Sequence, residues 1–267
     1  MFLQSLIFLF LFKIYRIGHE LKNSPWPFFC FLSSVLLFSE FVIFFSPWFS
    51  FYRMILSFLI ISYISILWWK DISYEGQGGE YSPLVQDGLK SSIILFIFRE
   101  VCFFASFFWT FFHRSLNPNI EIGVIWPPFS LVVFNPFHIP LLNTLILLGR
   151  GATVTWSHHN LIGGAEFKTS LLATIFLGVF FLFIQSFEYY RAGFTISDSV
   201  YGSIFFMATG FHGIHVLVGT AFLIVVFLRS NVFNSFFFLG YELAIWYWHF
   251  VDVVWIFLFR FIYWWGC

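Results

Sequence analysis

Eight ionisable side chains stand inside long apolar stretches of this sequence: Glu40, Arg99, Glu100, Arg150, His212, His215, His249 and Asp252. Such groups are costly in hydrocarbon, so each either serves a function or is matched by a structural partner. Glu100, with Arg99 beside it, lies about twelve residues into its run, roughly 18 Å along a helix and close to the middle of a bilayer. A carboxyl there calls for a cation or a proton, and both a functional carboxyl and a structural ion pair are open readings. His212 and His215 are three apart, as are His249 and Asp252, so each pair shares a helical face. Two imidazoles on neighbouring helices are able to hold a heme or a metal, and equally to hydrogen-bond between helices. His158 and His159 are adjacent, point about 100° apart, and suit the end of a span better than a shared ligand. Cys30, Cys102 and Cys267 are too scattered for a disulfide framework or a thiolate metal site. There is no phosphate-binding glycine loop and no nucleophile elbow, so catalysis by this chain alone is not indicated.

The elements that must position these groups are membrane spans. Of 267 residues, 60% are hydrophobic, 25% aromatic and only 10% charged, against about 25% charged in an ordinary soluble domain. Thirteen basic and thirteen acidic residues balance to zero, leaving no basic field to gather nucleic acid. Runs able to cross a bilayer extend over 27–45, 51–69, 88–112, 139–156, 169–187, 200–228 and 242–265. The expected fold is therefore all-α, with seven transmembrane helices in a single membrane domain over 1–267 and no soluble domain. Turn-rich stretches at 73–87 and 117–135 separate runs. Trp68, Trp69, Trp126, Trp156, Trp264 and Trp265 fall at predicted span ends, where indole rings favour the interface. Lys13, Arg16, Lys22, Lys70, Lys90, Lys168 and Arg229 fall on the N-terminal side, which places the N-terminus inside. The apolar segment Met1 to Phe12 is too short to span, and its first positive charge, Lys13, follows it, unlike a secretory signal. An interfacial or partner-packed role suits it better. No internal repeat and no matched pair of broken helices points to an inverted-repeat transporter.

The run Trp246-Tyr247-Trp248-His249-Phe250-Val251-Asp252-Val253-Val254-Trp255, ending Tyr263-Trp264-Trp265-Gly266, resembles the signature of the cytochrome c oxidase subunit III family. Further matches follow in the family's order: Ser24-Pro25-Trp26-Pro27, Glu100-Val101-Cys102-Phe103-Phe104, Trp126-Pro127-Pro128 and Pro140-Leu141-Leu142-Asn143-Thr144. Thr155-Trp156-Ser157-His158-His159, Glu188-Tyr189-Tyr190, Phe194-Thr195-Ile196-Ser197-Asp198 and 208–216 complete the set, so the likeness covers residues 19–267, with 1–18 as an extension.

The resemblance implies a two-helix and a five-helix group with a V-shaped, lipid-filled cleft between them. It implies no redox centre in this chain, with heme a, heme a3 and the copper centres in partner subunits I and II, and it turns the histidines toward structural hydrogen bonding. The implied role is non-catalytic: support of assembly, proton uptake and stability in a proton-translocating oxidoreductase that takes electrons from cytochrome c. Accessory subunits, a respiratory supercomplex and phospholipids (cardiolipin, phosphatidylethanolamine or phosphatidylglycerol) are the implied partners. Glu100 matches the family's carbodiimide-reactive intramembrane carboxyl. Lipid contacts are implied for His19, Trp69, Lys70, Glu75 and Arg229, although Tyr74 and Tyr81 replace the Arg and His common in that loop. Glu40, Arg99 and Arg150 stand where the family is usually neutral, and they are expected to compensate one another, or Glu100, in a buried charge network. The 45 phenylalanines suit AT-rich organelle coding, so the expected location is the mitochondrial inner membrane, N-terminus in the matrix. The alternatives are subunit III of a quinol oxidase, a free-standing transporter and a b-type cytochrome.

Overall fold

The structure, a computed structural model, describes residues 23–44, 46–47, 49–120, 123–129, 131–231 and 235–266. His19 and the extension 1–18 lie outside the described residues. Among the described residues, seven α-helices follow one another: α1 (Trp26–Ile43), α2 (Phe51–Gln77), α3 (Pro83–Leu116), α4 (Ile139–Ile162), α5 (Lys168–Arg191), α6 (Val200–Leu228) and α7 (Ser235–Leu258), the last continuing into a π-helical segment, Phe259–Trp265. Each coincides with one of the seven apolar runs. A helix satisfies its own backbone groups, which hydrocarbon cannot do for it. Six of the seven are long and apolar enough to cross a membrane, α4 being the exception. It carries Asn143, Arg150 and Ser157 on the face it buries, along with Ile146, Leu147, Val154 and Leu161. Those positions recur every three or four residues, so the polar groups that lower its hydropathy are turned into the protein.

Helix boundaries differ from the expected ones. The turn-rich stretch 73–87 is mostly helical: α2 runs on to Gln77 and α3 starts at Pro83. Gly79, at φ +72°, takes the left-handed conformation that glycine tolerates, and Pro83 suits a first helical turn. Trp69 consequently lies within α2 rather than at its end, and Trp156 within α4. The final helix begins at Ser235, ahead of the expected Glu242.

By contacts the chain divides into two units, Met1–Gly88 and Leu89–Cys267, which separates α1 and α2 from a group built on α3 to α7. In the first unit, Trp26 Nε1 at the start of α1 donates to Asp71 Oδ2 late in α2. Arg53 Nε at the start of α2 lies 3.5 Å from Glu40 Oε1 near the end of α1. The two ties fix α1 and α2 antiparallel at both ends.

The second unit is packed by aromatic rings. Phe103 and Phe211 meet edge-on at 5.0 Å and Phe181 and Trp255 at 4.8 Å, joining α3 to α6 and α5 to α7. Edge-to-face contacts of this kind suit the ring quadrupole. Trp248, fully buried, enters against glycines on two other helices. A Cβ at Gly219 would lie 2.7 Å from Trp248 Cε3, and one at Gly178 would lie 3.0 Å from its Cη2. Small residues at such crossings let helices approach.

Candidate functional site

The polar groups of the second unit form separate clusters. Glu100 sits midway along the 34-residue helix α3. Arg99 donates to Glu100 Oε1 from Nη2 at 2.9 Å and from Nε at 3.2 Å. The other carboxyl oxygen, Oε2, is 3.2 Å from His215 Nε2 on α6, whose Nδ1 lies 2.7 Å from the Phe211 carbonyl one turn earlier. Glu100 and His215 are each only 13% exposed at the side chain, whereas Arg99 is 70% exposed. The cluster thus reaches from inside the bundle to its surface.

Arg150 makes the second cluster. It is fully buried, Nε donates to Asp252 Oδ1 at 3.0 Å, and Nη2 lies 2.9 Å from the same oxygen. The guanidinium also faces Phe181 at 4.9 Å and Trp248 at 4.7 Å, a favourable arrangement for a desolvated cation over aromatic rings. His249 Nδ1 stands 4.0 Å from Asp252 Oδ2. His212, also fully buried, packs against Trp255 at 5.0 Å and Phe181 at 5.7 Å. It and His215 therefore have different surroundings despite sharing a helix.

Two further groups tie the unit together, and sequence reasoning did not pick either out as a site. Glu188 on α5, fully buried, accepts from Asn143 Nδ2 of α4 at 3.4 Å. The sequence names it only within a family motif, because the expected span stops at Phe187 and leaves Glu188 just beyond it; a longer span counts it as an intramembrane charge. Tyr241 of α7 donates to Ser157 Oγ at 2.7 Å, and Ser157 donates to the Phe167 carbonyl at 3.1 Å. Tyr241→Phe is expected to cost about 1 kcal/mol, because Ser157 keeps its bond to Phe167. A fall in the thermal midpoint of the purified chain, with the helical signal unchanged, would register it.

The intramembrane charges are matched in pairs rather than in one network. Glu40 meets Arg53, Arg99 meets Glu100, and Arg150 meets Asp252. The residues singled out for lipid contact are distributed over both units. Trp69, Lys70 and Glu75 follow one another on α2, with Trp69 and Lys70 exposed, Lys70 Nζ 5.6 Å from the Tyr74 ring, and Glu75 accepting from the Tyr81 hydroxyl at 3.1 Å. Burial and the Glu75 carboxylate push the Tyr81 phenol up. Arg229 closes α6, where partial burial lowers its pKa.

Comparison with known proteins gives the same assignment along most of the chain. The profile of the family described as "Cytochrome c oxidase subunit III" matches residues 17–267. A protein from Rhipicephalus sanguineus, "Cytochrome c oxidase subunit 3", is 52% identical over 252 residues, covering 92% of this chain and 98% of the relative. The proteins of the same name from Drosophila melanogaster and Canis lupus are 51% and 48% identical, each covering 93% of this chain and, respectively, 96% and 97% of the relative.

Proposed function

The chain belongs to the cytochrome c oxidase subunit III family, and on that premise we propose that it is the non-catalytic third subunit of a proton-translocating terminal oxidase. In this reading it supports assembly, proton uptake and stability of the catalytic subunit, which holds heme a, heme a3 and copper with subunit II and receives electrons from cytochrome c. It sits in the mitochondrial inner membrane with its N-terminus in the matrix, as the lysine and arginine bias suggests. The carrying observation is the match from residue 17 to residue 267. The pairing of Glu40, Arg99, Glu100, Arg150 and Asp252 with neighbouring side chains supports a structural use of those groups.

Seven spans belong to the same proposal, with α4 crossing as the helix whose polar groups face inward. Its polar face is buried against other helices, so low hydropathy is no obstacle to crossing. A single membrane domain with a V-shaped, lipid-filled cleft is the architecture that the family implies, and Trp69, Lys70, Glu75 and Arg229 are the residues we assign to phospholipids there. Exposed Trp69 and Lys70 offer an interfacial ring and a cation for a headgroup phosphate.

Gentle solubilisation followed by optical spectra and mass spectrometry of whatever migrates with the chain tests this reading. Subunits I and II with a heme a spectrum are expected. A free-standing transporter would migrate without them, a b-type cytochrome would show its own Soret band, and a quinol oxidase would arrive with a subunit II lacking the cytochrome c site.

The Arg99 pair carries a chemical expectation of its own. With Oε1 engaged by the guanidinium, Glu100 is a poor target for a carbodiimide. Arg99→Ser is expected to raise labelling of Glu100 severalfold, read by peptide mass spectrometry; unchanged labelling would remove Arg99 from any role at that carboxyl.

A further inference from the structure

His212 is fully buried in α6, against the rings of Trp255 at 5.0 Å and Phe181 at 5.7 Å. Among the described residues, neither its Nδ1 nor its Nε2 has a hydrogen-bond partner. The demand stands in every protonation state. Either neutral tautomer has one N–H to donate and one lone pair to fill, and the imidazolium has two N–H groups. Buried polar atoms are as a rule satisfied, and the hydrocarbon outside the bundle satisfies none.

Two other enclosed groups nearby have a polar atom to spare. Arg150 of α4, whose guanidinium faces Phe181 at 4.9 Å, turns Nε and Nη2 to Asp252 and finds no acceptor for Nη1 among the described residues. Gln185 of α5, one turn beyond Phe181 and 4% exposed, donates from Nε2 to the Thr209 carbonyl at 2.7 Å. A carbonyl only accepts, which fixes the carboxamide with Oε1 turned away, again with no donor among the described residues. That oxygen lies against α6 at Gly213, where a Cβ would stand 2.9 Å from it. Thr209 and Gly213 lie on either side of His212 along α6, so Gln185 reaches that helix at the level of the imidazole. Every one of these residues belongs to the second unit.

We propose that His212 is the centre of a buried hydration site with a water on each ring nitrogen, one bridging to Arg150 Nη1 and the other to Gln185 Oε1. The chemistry of the three groups selects the ligand. Arg150 only donates and Gln185 Oε1 only accepts, so a species serving both must itself donate and accept. A metal cation would find a single imidazole beside a guanidinium, short of the ligands it needs. An anion would face the Gln185 oxygen, and the Arg150 charge is already matched by Asp252. Water meets both demands and is small enough for an enclosed site. The result is a polar link from Asp252 through Arg150, His212 and Gln185 to the Thr209 carbonyl, tying α7, α4, α6 and α5 through an apolar core. The inference uses the packing of one unit alone and does not rest on the proposed function.

Radiolytic footprinting of the purified complex tests it, because hydroxyl radicals formed from an enclosed water oxidise the side chains beside it. Phe181 and Phe205 are both fully buried, but Phe205 packs against the rings of Phe134, Phe194 and Phe206. Oxidation of Phe181, read by peptide mass spectrometry, is expected to run severalfold faster than that of Phe205. In His212→Phe, which puts an apolar ring in the site, it is expected to fall to the Phe205 rate. Should that variant fail to accumulate, a density map of the unmodified complex fine enough to show ordered water decides, with a peak expected within hydrogen-bond distance of each His212 ring nitrogen. Equal rates for Phe181 and Phe205, a Phe181 rate that survives His212→Phe, or a map lacking either peak overturns the inference. Loss of the heme a partners during purification counts against the proposed function alone, since the same two phenylalanines are then read in the isolated chain.

Discussion

Replacing Arg150 by alanine is expected to destabilise the five-helix unit by about 3–5 kcal/mol, because it leaves Asp252 buried without its cation. The magnitude follows from how completely the pair is enclosed. Arg150 is fully buried and Asp252 only 7% exposed, so the carboxyl has little solvent contact to fall back on when its partner is lost. The pair joins α4 to α7 across 102 residues of sequence. Losing Arg150 also empties the space between Phe181 and Trp248, which it faces at 4.9 and 4.7 Å. The partner change Asp252→Asn alone is expected to be harmful for the mirror reason, a buried guanidinium with only neutral neighbours. Arg150→Met combined with Asp252→Asn removes both charges and keeps most of the volume, so it is expected to stand within about 1 kcal/mol of the original. Denaturant titration of the purified chain in detergent gives all three values. A cost below about 1 kcal/mol for Arg150→Ala would show that the pair contributes little beyond its own desolvation.

The second large effect is steric. Gly219→Ala is expected to cost about 1–3 kcal/mol, and Gly219→Leu to prevent the chain from accumulating in the membrane. The Cβ of alanine would stand 2.7 and 2.8 Å from two ring carbons of Trp248, distances that real contacts do not reach. The indole cannot retreat easily, since Gly178 faces it from α5, where a Cβ would approach Trp248 to 3.0 Å and Thr220 Oγ1 to 2.9 Å. Trp248→Phe shortens the ring and is expected to recover part of the Gly219→Ala loss. Recovery should stay incomplete by about 0.5–2 kcal/mol, the usual range for a cation over an aromatic face, because Trp248 also stacks on Arg150. Equal accumulation of the glycine, alanine and leucine forms would show that α6 and α7 are not closely packed at this level.

Much of this architecture is legible in the sequence, and the exceptions share a cause. All seven helices coincide with apolar runs because hydropathy is local and additive: about twenty apolar residues suffice to announce a span, whatever surrounds it. The intramembrane charges announce themselves in the same way. Helix ends are less legible, since Ser73 to Gln77 read as turn residues yet continue α2, whose end is decided at Gly78 and Gly79. Glu188 was hidden for the same reason, one residue past an expected boundary. The family motifs pointed to Glu100 without saying what it would touch.

By itself the sequence determined a membrane protein of seven apolar helices, its family, and the addresses of its buried charges. Only the tertiary structure decided which charge meets which. Glu100 finds His215 across 115 residues and Arg150 finds Asp252 across 102, while Arg99 turns outward and Arg150, in an equally apolar run, turns inward. In a soluble helix an apolar stripe would have revealed those directions. Here lipid and core are both apolar, so an apolar face does not by itself tell the inside of the bundle from its outside. Direction is then fixed by packing: glycines that admit Trp248, rings that meet edge to face, and the need of each buried charge for a partner on another helix.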